Sequence, residues 1–308
     1  MDNAIGSSNL TKTYGGRTAV ERLSLRVGRG EIYGFLGLNG AGKTTTIRML
    51  LGMARPTSGS AEIFGAPVRA GAADLWGRVG YLVETPYAYP ELTVRENLDV
   101  IRRLRQIADP GAVTRVMKRL SLAQYADRPA RALSLGNAQR LGLAKALIHD
   151  PELLILDEPA NGLDPAGVVG VRDMLRELAR ERGVTVFLSS HILSEVARLV
   201  TRIGIIHQGR LIEELDASQL DQNRRRWLVV AARDCELARV TLTGAGFNVD
   251  AGEDESMILT DPRAIAHPDE IARRLLDAGV ALTRLAVEQE DLETYFLRLV
   301  GTEQGGAQ

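Results

Sequence analysis

The run Gly37-Leu38-Asn39-Gly40-Ala41-Gly42-Lys43-Thr44-Thr45 constrains this chain more than any other stretch. It fits G-x-x-x-x-G-K-[ST], a phosphate-binding loop, a pattern that carries weight only between a strand and a helix. Both flanks are there: residues 31–36 read as a strand and 45–51 as a helix. Glycines let the backbone curl so that several N–H groups point inward at phosphate oxygens. The helix N-terminus adds partial positive charge at the same point. The residues expected to bind nucleotide are Gly37, Asn39, Gly40, Ala41, Gly42, Lys43, Thr44 and Thr45. In such a loop Lys43 reaches the β- and γ-phosphates and the Thr44 hydroxyl ligates Mg²⁺.

A second apolar run, Leu153-Leu154-Ile155-Leu156, ends in Asp157-Glu158-Pro159. A short all-apolar run suits a strand buried on both faces, whose C-terminal end opens on the same crevice as the loop. Asp157 then joins Thr44 in the metal shell, and Glu158 aligns or polarises an attacking water. Ser189-Ser190-His191 follows the next apolar strand. A neutral imidazole there can hydrogen-bond a γ-phosphate oxygen and help hold the water. His149, His207 and His267 lack that placement and read as structural or surface residues.

The chain has 308 residues, room for two domains. A net charge of −1 gives no global reason to bind nucleic acid. Lysine occurs only at 12, 43, 118 and 145, so a rare residue sits where phosphate chemistry wants it. Cys235 is alone, which excludes a disulfide framework. The N-terminus is not a signal peptide, and no apolar run is long enough to span a bilayer.

Short strands are expected over 9–36, 60–64 and 79–83. Residues 86–149 switch to helical spacing, with helices at 94–104, 112–120 and 137–148. Strands at 153–156, 184–188 and 203–206 alternate with helices at 165–182 and 192–198. Composition turns polar and basic over 216–224, which marks a boundary between domains 1–221 and 222–301. The second reads strand 227–232, helix 235–245, strands 247–250 and 256–260, helix 268–278, strand 281–287 and helix 291–300. That order suits a ferredoxin-like βαββαβ unit plus a final helix. Residues 302–308 read as a disordered tail.

From residue 9 to about 215 the order of motifs resembles the ATP-binding subunits of ABC transporters. The resemblance implies a P-loop NTPase of the α/β class with an inserted helical subdomain over about 86–149, followed by a small α+β domain. It implies that Tyr14 stacks on adenine. Leu133-Ser134-Leu135-Gly136-Asn137 looks like the family signature, usually L-S-G-G-Q. In the family a second copy docks head to tail, and this segment completes the partner's ATP site through Ser134 and Gly136. Asn161-Gly162-Leu163-Asp164 resembles the loop that crosses that interface. Leu38 stands where proline is common, and Leu135 and Asn137 depart from the signature. Glu84 takes the position of the family's Q-loop glutamine, where a carboxylate can meet Mg²⁺ or its water. Residues 84–90 and 92–98 look like bacitracin- and lantibiotic-type exporters, and 291–299 resembles the C-terminal extension of that drug-export group.

The function these motifs imply is hydrolysis of ATP, with Mg²⁺, to power export of an antibiotic, peptide or drug-like compound through a separate transmembrane permease. Such a subunit is cytoplasmic, peripheral at the inner face of the membrane. The alternatives are a soluble ABC-type ATPase acting on the ribosome and a non-transport ATP-dependent clamp. The first usually carries two nucleotide domains in one chain, and here there is one set of motifs. Intact Glu158 and His191 speak against the second.

Overall fold

A computed structural model of the chain describes residues 3–69, 73–84, 86–252 and 254–304. The chain divides into two compact units, Met1–Ser218 and Gln219–Gln308. The division falls within the helix Ala217–Asn223, slightly ahead of the expected 221/222.

In the first unit, strands Ile32–Leu36, Leu153–Asp157 and Thr185–Ser190 are buried at every position. Near-continuous apolar runs of this kind pair in parallel between two covering layers. They form the middle of a six-stranded sheet, in the order Arg210–Asp216, Arg202–His207, Ile32–Leu36, Thr185–Ser190, Leu153–Asp157, Val79–Leu82. Arg210–Asp216 alone pairs antiparallel. Register aligns Leu36 with Ser190, Asp157 with Ser189 and Leu82 with Leu156. The residues that follow these strands therefore emerge along one edge of the sheet. Tyr33 and Phe187 stack across neighbouring strands, ring centroids 5.5 Å apart. A five-stranded antiparallel sheet, built on Asn3–Tyr14, Arg17–Leu23, Arg26–Gly28, Ser58–Ile63 and Ala66–Pro67, shares the core with the helix Lys43–Leu50.

The inserted helices are Val94–Leu104, Gly111–Arg119 and Leu135–Leu147. Thr93 and Glu96 form a reciprocal capping box at the first, and the Ser134 hydroxyl caps the third. The third helix lies so close to the strand Val79–Leu82 that a Cβ on Gly80 would fall 2.1 Å from the Ala146 carbonyl oxygen. Elements not anticipated include residues 3–8 of the first strand, the strand Ala66–Pro67, the helices Ala73–Gly77 and Ala217–Asn223, and the strand Arg210–Asp216. Arg210–Asp216 is an edge strand whose Glu213 and Glu214 break the apolar alternation that marks half-buried strands. Among the described residues no helix is long and apolar enough to cross a membrane.

The second unit orders its antiparallel sheet Asp250–Ala251, Met257–Leu259, Arg226–Ala232, Leu282–Gln289. With helices Cys235–Gly244 and Pro268–Asp277, this is the ferredoxin-like arrangement. Leu228, Val230, Leu242, Met257, Ile271 and Leu275 make its core. Asp250–Ala251 and Met257–Leu259 are shorter than expected, and a short helix, Pro262–Ala266, follows them. The final helix, Leu292–Gln304, enters the expected tail; residues 305–308 lie outside those described.

Buried Glu290 ties this unit together. It accepts from Arg298 Nε at 2.9 Å and Nη2 at 2.8 Å, and from the Arg225 amide at 3.1 Å. The Arg298 guanidinium lowers the Glu290 pKa from its ordinary 4.5. Glu290 therefore adds stability above about pH 4.5, and that contribution fades as the pH falls through its lower folded-state pKa. Glu290→Ala is expected to destabilise the unit by roughly 1–3 kcal/mol near neutral pH, because Arg298 and the Arg225 amide lose their shared charged acceptor. Hydrogen exchange of the strand Arg226–Ala232 should rise in this variant. Its cost should shrink at low pH; a cost unchanged between pH 7 and pH 3 would deny Glu290 this charge-dependent part.

Candidate functional site

The loop 37–42 links the end of the strand Ile32–Leu36 to the helix Lys43–Leu50. Gly40 and Gly42 sit at φ 80° and 109°, conformations that L side chains rarely adopt. Gly42 also has no room: a Cβ would lie 2.6 Å from the Ala19 carbonyl oxygen. The first intrahelical bond runs from the Thr46 amide to the Gly42 carbonyl, and no side chain caps the helix start. The amides of Lys43, Thr44 and Thr45 thus have no acceptor within the helix and face the loop's mouth as an anion-binding end. Asn39 and Gly40 are exposed at the loop's rim, while Ala41 is buried beneath it.

Lys43 is buried, 6 % exposed, and its ammonium donates to the Gly37 carbonyl at 2.6 Å and the Leu38 carbonyl at 3.3 Å. Glu158 Oε1 stands 3.4 Å from that ammonium. The other Glu158 oxygen is 2.9 Å from His191 Nδ1. Next to them the Thr44 hydroxyl donates to Asp157 Oδ2 at 2.7 Å, and the Ser189 hydroxyl to Asp157 Oδ1 at 2.5 Å. Lys43, Thr44, Asp157, Glu158 and His191 therefore converge, although they come from three separate strand ends. A hydroxyl beside a buried carboxylate is a hard oxygen pair, suited to a cation of the Mg²⁺ type. Glu158 has φ 49°, so the chain turns sharply there and brings its side chain back to the site. Its amide is fixed by the Ser189 carbonyl and hydroxyl, and its carbonyl accepts from buried Gln139 at 3.0 Å.

Tyr14 is 48 % exposed near the tip of the hairpin formed by Asn3–Tyr14 and Arg17–Leu23, with the Lys12 ammonium 4.7 Å from its ring centroid. The second strand of that hairpin supplies Ala19, which abuts Gly42. Ser134 and Gly136 are not brought to the phosphate loop. They line a separate recess with Tyr125, Arg140, Gly162 and Asp164. Gly136 lies against the Gly162 carbonyl and Leu163, so the signature segment and the 161–164 loop form one surface.

Glu84, the residue expected to meet Mg²⁺ or its water, follows the strand Val79–Leu82. It is paired with Arg48 at 2.5 Å, both side chains about half exposed. Arg48 lies one helical turn beyond Thr44, where the helix faces the end of the strand Val79–Leu82, and its guanidinium neutralises the carboxylate there. Beyond it, exposed Tyr87 and Tyr89 stand edge to face at 5.9 Å. Lys145 donates to the Tyr87 carbonyl at 2.8 Å, and burial pushes its pKa down to about 8. Fully buried Asn97 holds the Tyr89 amide at 2.8 Å and the Tyr89 carbonyl at 3.1 Å. The sequence reading missed Arg48, Ser189, Gln139, Asn97 and Lys145. Ser189 had a visible signal, its place just before His191; the others act through contacts between distant elements.

Residues 20–161 match the family described as ABC transporter. The bacitracin transport ATP-binding protein BcrA of Bacillus licheniformis is 40 % identical over 302 residues, which cover 98 % of each chain. The lantibiotic transport ATP-binding protein SrtF of Streptococcus pyogenes is 37 % identical over 218 residues, 68 % of this chain and 91 % of that one. A solved structure of an ATP-binding subunit of an ABC transporter superposes with a TM-score of 0.65 at 27 % identity, covering 71 % of this chain and 92 % of that chain.

The crowding at Gly42 predicts a cost for any side chain there. Gly42→Ala should destabilise the first unit by roughly 1–3 kcal/mol, from a strained φ and the Ala19 clash. Thermal unfolding should report a midpoint several degrees lower; an unchanged midpoint would mean that the loop relaxes freely.

Proposed function

The chain belongs to the ABC transporter family, as one of its ATP-binding ATPase subunits, and we propose that it powers a membrane exporter of an antibiotic, peptide or drug-like compound. The observation that carries this reading is Glu158, held between the Lys43 ammonium and His191 beside the Thr44–Asp157 pair. Identity to a bacitracin transport protein along nearly the whole chain supports the cargo class.

In this reading Lys43 and the amides of 37–45 bind the β- and γ-phosphates of ATP, and Tyr14 stacks on adenine. Thr44 and Asp157 would hold Mg²⁺, which supplies charge neutralisation between the phosphates when bound. Glu158 orients a water for in-line attack and accepts hydrogen-bonding from it. When Lys43 turns to phosphate its contact with Glu158 is lost, which frees the carboxylate for that task. A neutral His191 donates from only one ring nitrogen, so its bond to Glu158 through Nδ1 gives way when Nε2–H turns to a γ-phosphate oxygen. Water attacks phosphorus, the bond to the bridging oxygen breaks, and ADP leaves with that electron pair. The acceleration comes from positioning and fixed charge rather than from covalent chemistry.

Two copies dock head to tail, so that Ser134 and Gly136 of each complete the other's site at the N-terminus of the helix Leu135–Leu147. Closure passes to a separate transmembrane permease through residues 84–90, at the cytoplasmic face of the membrane.

Glu158→Gln keeps the side chain's shape and removes its charge. It should bind ATP, lose at least 100-fold in phosphate release and accumulate as an ATP-bound dimer; near-normal release would refute the assignment. Lys43→Ala should weaken both binding and turnover. Ser134→Arg should cut hydrolysis while leaving ATP binding by the monomer intact. Full activity in Ser134→Arg would rule out the head-to-tail arrangement.

A further inference from the structure

Two cations from two different helices grip the segment that carries Tyr87 and Tyr89. Arg48, near the end of the helix Lys43–Leu50, holds Glu84. Lys145, near the end of the helix Leu135–Leu147, holds the Tyr87 carbonyl and reaches Asn97 Oδ1 at 3.3 Å. Asn97 in turn fixes Tyr89 through both its amide and its carbonyl. The first helix begins at the phosphate loop. The second begins at Ser134, which the proposed reading assigns to the partner's nucleotide. A helix moves as a rod, rising 1.5 Å per residue, so a displacement at its start reappears at its end.

We propose that Arg48 and Lys145 are positioning residues that join the two halves of the composite nucleotide site to one exposed aromatic surface, the Tyr87–Tyr89 pair. Arg48 transmits the state of the chain's own phosphate loop, and Lys145 that of the signature helix. Neither touches substrate. The Arg48–Glu84 pair is half exposed, and such pairs are weak enough to break and re-form within a working cycle. Lys145 meets neutral oxygens, a carbonyl and an amide, so its grip depends on placement more than on charge pairing. Departure from glutamine at position 84 then has a purpose: a carboxylate can be held by Arg48 through a charge-assisted bond.

The inference rests on the ATPase reading, and one experiment separates the two. Hydrogen–deuterium exchange of the peptide 86–92 is measured in the full-length chain carrying Glu158→Gln, with and without MgATP, while nucleotide affinity is measured on the same samples. MgATP should change exchange at 86–92. Adding Arg48→Gln or Lys145→Gln should each reduce that change by at least half with ATP affinity within threefold, and Lys145→Arg should restore it. With Glu158 intact, Arg48→Gln and Lys145→Gln should keep basal hydrolysis within about twofold. A full MgATP-dependent change in both variants would overturn the proposal although the ATPase reading stands. So would loss of ATP binding in the variants, since the contacts would then serve binding and not transmission. A parent that fails to bind MgATP would overturn both.

Discussion

Parallel, in-register pairing of three buried strands is the constraint on which everything else depends. Ile32–Leu36, Thr185–Ser190 and Leu153–Asp157 are neighbours in the sheet but far apart in the chain. Their apolar side chains fix which residues are buried, and burial fixes where each strand must end. A slip of one residue would turn every side chain to the opposite face. Ser189 shows what the register delivers. It lies opposite Asp157, bonds its carboxylate, and fixes the Glu158 amide with both its hydroxyl and its carbonyl. One strand-end serine thereby orients both neighbouring carboxylates.

Glu158 joins this sheet edge to the inserted helices. Its carboxylate lies between Lys43 and His191, and its backbone carbonyl is bonded by Gln139, a few residues into the helix that Ser134 caps. The same residue thus belongs to the proposed chemistry and to the joint between subdomains. At the far end of that helix Lys145, with Asn97 of the helix Val94–Leu104, stiffens the segment with the exposed tyrosines. Buried polar groups with several bonds specify one arrangement where apolar packing would tolerate several.

Much of the fold was legible because its signals are local. The loop 37–45 names its own strand and helix, and the helix Pro165–Arg182 announces itself with Asp164 as cap, Pro165 in the first turn and Gly183 at the end. The buried strands read as unbroken apolar runs. What stayed hidden depends on partners distant in sequence. Arg210–Asp216 is a strand because it completes the edge beside Arg202–His207, not because its own composition demands one. The site followed the same rule. Lys43, Thr44, Asp157, Glu158 and His191 each sit at a motif or a strand end, so their convergence has local signals. The pairing of Glu84 with Arg48, 36 residues away, carries no such local signal.

Lys43 bonded to the carbonyls of its own loop has a thermodynamic consequence. An ammonium this buried would incur a large desolvation cost if it waited for phosphate alone. By satisfying itself on Gly37 and Leu38 it holds the loop in its curled shape before any anion arrives. An incoming phosphate then meets an ordered cradle and need not freeze a mobile one, so little of the binding energy is lost to conformational entropy. Selectivity follows from the same exchange: only a ligand charged enough to outbid two carbonyls and a carboxylate can draw the ammonium toward itself.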